Sequence, residues 1–147
     1  MKIIQHAFPL LAALLLTCPG ADARDDHLSL PLKEALEAPA AQSKLDQGVK
    51  LYFGKQKHPK PIKTLGEWKT NKKTNAFNKP DKEACEWAFL SAALELQARA
   101  RKEGGNAVVD IRSNYKGREN SSETEYTCGA GGLMAGVAFK GTVVKLP

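Results

Sequence analysis

The chain has 147 residues and a net charge of +6, from 22 Lys and Arg against 16 Asp and Glu. This length fits a single domain that can bury a modest core without a metal or several disulfides. It is far too short for a large multidomain ATPase.

The start of the chain has the features of a secretory signal peptide. Lys2 provides a positive charge, residues 7–16 form an apolar stretch too short to span a bilayer, and Ala21 and Ala23 are small residues suited to signal peptidase. The charged sequence that follows disfavours the alternative, a buried core helix. We therefore predict a signal peptide over 1–23, cleavage between Ala23 and Arg24, and a periplasmic or secreted protein.

Acylation at Cys18 is an alternative to cleavage after Ala23, and it would produce an outer-membrane lipoprotein. That processing prefers a small residue before the cysteine, whereas Thr17 precedes Cys18 and Pro19 follows it. Cleavage after Ala23 is the leading interpretation, and lipidation at Cys18 stays open. No transmembrane segment is expected in the mature chain.

We predict that residues 24–47 form an extended piece and a short helix, and that a main domain follows over 48–147. Leucines alternate with other residues up to Pro31, which is typical of a short edge strand. Residues 32–37 favour a short helix that Pro39 stops, and 40–46 favour a second helical turn.

The main domain begins with two predicted strands and a long polar connection. Alternating apolar residues predict strands over 49–53 and 62–70, separated by a loop over 54–61. Residues 69–80 are rich in Asn and Lys and predict a turn-rich segment with no packed core.

The strongest pattern is a helix over 82–103. Asp81 is the predicted N-cap, and Gly104 and Gly105 supply the C-cap. Apolar residues cover more than one face of this helix, so we expect it to be well buried.

Three more strands are predicted after the helix. They cover 106–112, 124–128 and 133–144, with a polar turn over 113–121 and a glycine-rich turn at 129–132. The main domain therefore reads roughly β-β-α-β-β-β. Such an order favours an α+β fold in which one long helix packs on a small antiparallel sheet.

Two cysteines remain after signal cleavage, Cys85 and Cys128. In an oxidising compartment an even pair predicts a disulfide, which would join the helix to a strand. The alternative is a pair of buried free thiols.

Positive charge is concentrated in residues 50–82, which contain ten Lys and only two acidic residues, Glu67 and Asp81. This excess predicts an anionic partner, namely an envelope component such as a lipid headgroup or glycan, or an acidic periplasmic protein. Export argues against nucleic acid. The alternative is a solvated surface that only maintains solubility. The predicted contact residues are Lys63, Lys69, Lys72, Lys73 and Lys79.

No motif predicts catalysis, a metal or a cofactor. The glycine cluster at 129–136 lacks the Gly-Lys-Ser/Thr of a phosphate-binding loop. His27 and His58 lie in polar segments, without ligand spacing to each other or to the cysteines. An enzyme with an unrecognised site remains an alternative, and a pocket around Glu123, Tyr126 or Asp110 would favour it.

Four stretches carry a resemblance to a known group of proteins. The chain resembles small secreted proteobacterial proteins catalogued as "excinuclease ATPase subunit", over TNKKTNAF (70–77), EACEWAFLSAALELQARA (83–100), GGNAVVDIRSNY (104–115) and ETEYTCGAGGLMAGVAFKG (123–141). The resemblance covers about half of the mature chain. The label implies an ATPase, but the chain lacks a phosphate-binding loop and zinc-type cysteine pairs.

The pattern also resembles, more distantly, the Rcs-type envelope-stress lipoprotein domain and the heavy-metal-binding-like small domains. That sensor has four cysteines and a lipid anchor, whereas two cysteines remain here. The resemblance implies fold and compartment. We therefore expect a non-enzymatic envelope module that binds its partner through a Lys-rich surface.

Overall fold

The computed structural model describes residues 23–147. Ten elements follow one another along the chain, and their order confirms the predicted α+β class. They are β1 (Asp26–Pro31), α1 (Leu32–Glu37), α2 (Pro39–Lys44), β2 (Lys50–Phe53), β3 (Lys63–Asn75), α3 (Asp81–Lys102), β4 (Ala107–Tyr115), β5 (Arg118–Asn120), β6 (Glu125–Ala130) and β7 (Met134–Lys145).

All seven strands belong to one mostly antiparallel sheet centred on β7. One side of β7 pairs with β3 along almost its whole length. Its other side pairs first with β6 and then with β4, and β1 and β2 extend the sheet beyond those strands. The pairing of β2 with β4 is parallel. Within residues 23–147, β7 is the only partner of β3, so β3 forms an edge of the sheet.

Helix α3 covers one side of the sheet, which we call the helix face; the opposite side is the open face. Small residues let the helix approach the strands closely, since Ala84, Ala88 and Ala92 are fully buried. The aromatic ring of Phe89 lies 4.8 Å from that of Tyr126 and 5.6 Å from that of Phe139 (centroid distances). This aromatic contact is the centre of the core.

The N-terminal cap of α3 differs from the prediction, whereas the C-terminal cap agrees with it. Asp81 was expected to cap the helix, but Pro80 occupies the N-cap position and no side chain caps it. At the other end Gly104 has φ +80°, and its N–H and that of Gly105 donate to the carbonyls of Arg101 and Ala100. This is a Schellman motif, in which glycine adopts the left-handed conformation at low cost.

The predicted disulfide is confirmed. Cys85 in the first turns of α3 bonds to Cys128 on β6, and both residues are fully buried. The bond attaches the start of the helix to the sheet.

Two segments predicted as turns are strands instead. Residues 69–75 continue β3, because residues 64–75 find ladder partners along β7 that outweigh the weak strand preference of Asn and Lys. Residues 113–120 form a hairpin between β4 and β5. Its turn is Lys116 and Gly117, both at positive φ (51° and 74°), as a two-residue hairpin requires.

The segment before residue 48 packs into the same core. Strand β1 pairs with β6 in antiparallel register, with Leu28 opposite Cys128. Leu32, Ala35 and Ala41 in α1 and α2 are buried.

Candidate binding surface

The structure separates the predicted contact lysines along β3. Lys69 and Lys73 lie on the open face, whereas Lys72 lies on the helix face and pairs with Glu95 of α3. Successive side chains of a strand point to opposite faces, so one strand cannot place all three lysines on one surface.

The other two predicted lysines lie at opposite ends of the sheet. Lys63 is opposite Lys145, where β3 begins and β7 ends; we call this the far end. Lys79 lies in the loop between β3 and α3, with its Nζ 3.3 Å from the carbonyl oxygen of Asn75. That loop is at the other end, which we call the groove end. Lys73 and Lys79 therefore lie toward the groove end, Lys69 lies farther along the open face, and Lys63 and Lys72 lie elsewhere.

A bulge in β4 shapes the open face. Asp110 has φ +51°, and the register with β7 shifts between Val109 and Arg112. The extra residue turns Ile111 into the core and Arg112 onto the open face.

Arg112 organises a network of charges at this bulge. Its guanidinium donates to Glu67 at 2.8 Å, Glu119 at 2.9 Å and Asp110 at 3.0 Å, and Lys140 donates to Glu119 at 2.6 Å. The bonds from Lys140 and then Arg112 lower the pKa of Glu119 to about 2. Three carboxylates thus outnumber the two cations, so the network has a net charge of −1 and adds no free positive charge.

Three of the five predicted contact lysines carry free positive charge near the groove end or on the open face. Among residues 23–147, Lys69, Lys73 and Lys79 have no carboxylate within ion-pair distance. Lys69 and Lys73 are 4 residues apart on one strand face, and both are exposed.

A groove of about 640 Å³ lies where the groove end meets the open face. Its floor is the facing pair Gly129 and Gly136. The ring of Tyr115 lies over them so closely that a Cβ on Gly129 would be 2.0 Å from the ring. Lys73 and Leu133 are among the residues that line the groove. Gly129, which was predicted to belong to a turn, lies in β6 instead and makes room for an aromatic ring.

Asp25 joins the polar groups at the groove. Its carboxylate accepts a hydrogen bond from the hydroxyl of Tyr115 at 3.0 Å and forms an ion pair with Lys116. The Nε2 of His27 lies 3.5 Å from the same carboxylate. Lys116 and then Tyr115 lower the pKa of Asp25 to about 2. A carboxylate this acidic is a poor general base near neutral pH, so the cluster suits binding better than proton transfer.

Three apolar side chains protrude at the groove end. Phe77 is 58% exposed, Leu133 67% and Met134 48%. They are adjacent, because the N–H of Ala76 donates to the carbonyl of Leu133 at 2.8 Å and Asn75 lies opposite Met134. We call Phe77, Leu133 and Met134 the apolar tip. Sequence reasoning missed it, although large apolar residues inside polar or glycine-rich turns were a usable signal.

The residues that could have indicated an unrecognised enzyme do not share a pocket. Tyr126 is buried against Phe89, and that burial raises the pKa of its hydroxyl. Asp110 lies on the open face, and Glu123 lines a separate cavity beside α1.

The histidines also lie apart. His27 packs edge-on against Tyr115, and His58 contacts Tyr52. Within residues 23–147, no three His, Cys, Asp or Glu side chains are grouped to hold a metal ion. In the same range, no helix has the length and apolar character needed to cross a bilayer.

The chain enters the described structure at the groove. Ala23 and Arg24 line it, and Arg24 also forms ion pairs with Asp26 and Asp81. Residues 1–22 of the predicted signal peptide, including Cys18, lie outside the described residues.

Comparison of the chain with protein-family models, curated proteins and solved structures finds no match. The proposals below therefore depend on the geometry of this surface.

Proposed function

We propose that the protein is a non-enzymatic binding module that contacts an anionic component of the cell envelope. The observation that carries this proposal is the set of unpaired lysines, Lys69, Lys73 and Lys79, beside a charge network whose cations are fully paired with carboxylates. Exposed cations without partners are available to an anionic ligand, whereas Arg112 and Lys140 are not.

The proposed compartment is periplasmic or extracellular. The buried disulfide between Cys85 and Cys128 is compatible with an oxidising environment. If the signal is cleaved as predicted, N-terminal sequencing of the exported protein returns Arg24 as its first residue. Acylation at Cys18 would return a blocked N-terminus.

Two variants with the same loss of charge test the lysines. Binding to phosphatidylglycerol vesicles and to the sulfated polysaccharide heparin is measured for K69Q/K73Q/K79Q, and for K55Q/K57Q/K60Q as the control. The control lysines are exposed residues of the loop over 54–61.

A lysine near an anionic surface contributes about 1 kcal/mol, so the first variant should bind on the order of a hundredfold more weakly. The control should retain most of the affinity, apart from the long-range loss that both variants share. Equal affinities of the two variants would show that these three lysines are not the contact surface.

A further inference from the structure

We infer that the groove end docks onto a bilayer surface that contains anionic phospholipid, with the apolar tip inserted among the headgroups. This inference depends on the proposed function, because it names the partner of the same lysines. It adds an apolar contact that binding to an anion alone does not need.

Exposed apolar side chains cluster at the groove end. Five large apolar residues are exposed among residues 23–147, and three of them form the apolar tip. Single exposed apolar residues are ordinary, but a contiguous group at one extremity marks an interaction site. Phe and Leu flanked by Lys are also the composition of surfaces that lie in the headgroup region of a membrane.

Positive charge lies beside the apolar tip. Lys73 lines the groove beside Leu133 and Met134, and Lys79 is two residues from Phe77. Both lysines are unpaired and would face phosphate groups when the tip is inserted.

Three carboxylates at this end are already bound to cations, whereas Glu83 in the first turn of α3 is exposed and forms no ion pair among residues 23–147. Asp26 and Asp81 pair with Arg24, and Asp25 pairs with Lys116. The two cations reduce the repulsion that these three carboxylates would exert on an anionic surface.

The described chain also begins beside the apolar tip. Ala23 lines the groove, and only six residues separate it from the apolar stretch at 7–16. Six extended residues span at most about 20 Å. A retained apolar stretch, or an acyl chain on Cys18, would therefore hold the groove end against the membrane. After cleavage at Ala23, the new amino group would add a positive charge at the same place.

The test separates apolar insertion from electrostatic attraction. Co-sedimentation is measured for the exported protein, expressed from the full-length sequence, with phosphatidylcholine vesicles that do or do not contain phosphatidylglycerol. The apolar variant is F77S/L133S, which leaves the charge unchanged. Its control is I62S at the far end, where Ile62 is 70% exposed and also lies next to lysines.

We expect binding only to vesicles with phosphatidylglycerol, and weaker binding at high salt. Loss of two partly inserted side chains should weaken binding at least about tenfold for F77S/L133S. I62S should stay within about twofold of the unchanged protein. If both variants unfold at the same urea midpoint as the unchanged protein, the substitutions leave the fold intact.

Several outcomes would overturn the inference. If F77S/L133S binds like the unchanged protein, the contact is electrostatic and the tip does not insert. If I62S is the weaker variant, the far end is the membrane contact. Binding to heparin without binding to vesicles would reject a lipid partner while the proposed function stands. Failure to bind either anionic probe would reject both.

Discussion

Removing the disulfide should reveal how much of the stability comes from holding α3 against the sheet. The bond joins residues 43 positions apart, and both cysteines are fully buried. Closing a loop of this length in the unfolded chain contributes about 4 kcal/mol in the chain-entropy description. The variant C85A/C128A should therefore lose about 3 to 4 kcal/mol in the free energy of unfolding, measured by urea titration. Its Tm should fall by about 10 to 15 °C.

The unchanged protein provides the control for this experiment. Because neither sulfur is exposed, a reductant alone should leave the folded protein oxidised, and reduction should require denaturant. Once reduced, its unfolding curve should approach that of C85A/C128A. A loss below about 1 kcal/mol in the double variant would refute the reasoning, because the rest of the core would then be sufficient to hold the helix.

Three smaller perturbations address the open face and the core. Gly129→Ala should cost about 1 to 3 kcal/mol in unfolding free energy, because the new Cβ meets the ring of Tyr115. The folded pKa of Glu119 lies below its ordinary value of 4.5, so its contribution to stability is present above that pH and disappears as the pH falls toward 2. Glu119→Gln should therefore flatten the decline in urea midpoint between pH 5 and pH 2. Thr70→Val should leave stability unchanged or raise it by up to about 1 kcal/mol, since the buried Oγ1 has no hydrogen-bond partner among residues 23–147.

Each of these perturbations has a matched comparison in urea unfolding. Gly132→Ala should be nearly neutral, because nothing lies within 4 Å of its added Cβ. An equal cost at Gly129 and Gly132 would contradict the close contact with Tyr115. If the urea midpoint of Glu119→Gln declined with pH as that of the unchanged protein does, this would contradict a stabilising role for the ion pairs of Glu119. Thr70→Ser keeps the hydroxyl and loses a methyl group, so it should be less stable than Thr70→Val; the reverse order would contradict an unsatisfied hydroxyl.

Local patterns in the chain were sufficient for the main elements. The Ala- and Leu-rich run with glycines after it predicted α3 and its C-terminal cap, and alternation predicted most strands, because these signals arise within a few neighbouring residues. The N-cap at Asp81 was wrong, since Asp81 contacts Arg24 from a distant part of the chain instead. Residues 69–75 were misread because their strand conformation depends on pairing with β7 rather than on their own preference.

For the candidate binding surface, the sequence alone determined less and the tertiary structure decided more. The sequence alone indicated the α+β class, the paired cysteines and an excess of lysine in one segment, because composition and short-range spacing carry that information. Only the tertiary structure decided which lysines are free. Lys72 finds Glu95 across the helix face, while Lys73 next to it turns to the groove. It also brought Phe77 beside Leu133, which are 56 positions apart in the chain. Strand pairing and the alternation of side chains across a sheet set such juxtapositions, and neither can be read from a single segment.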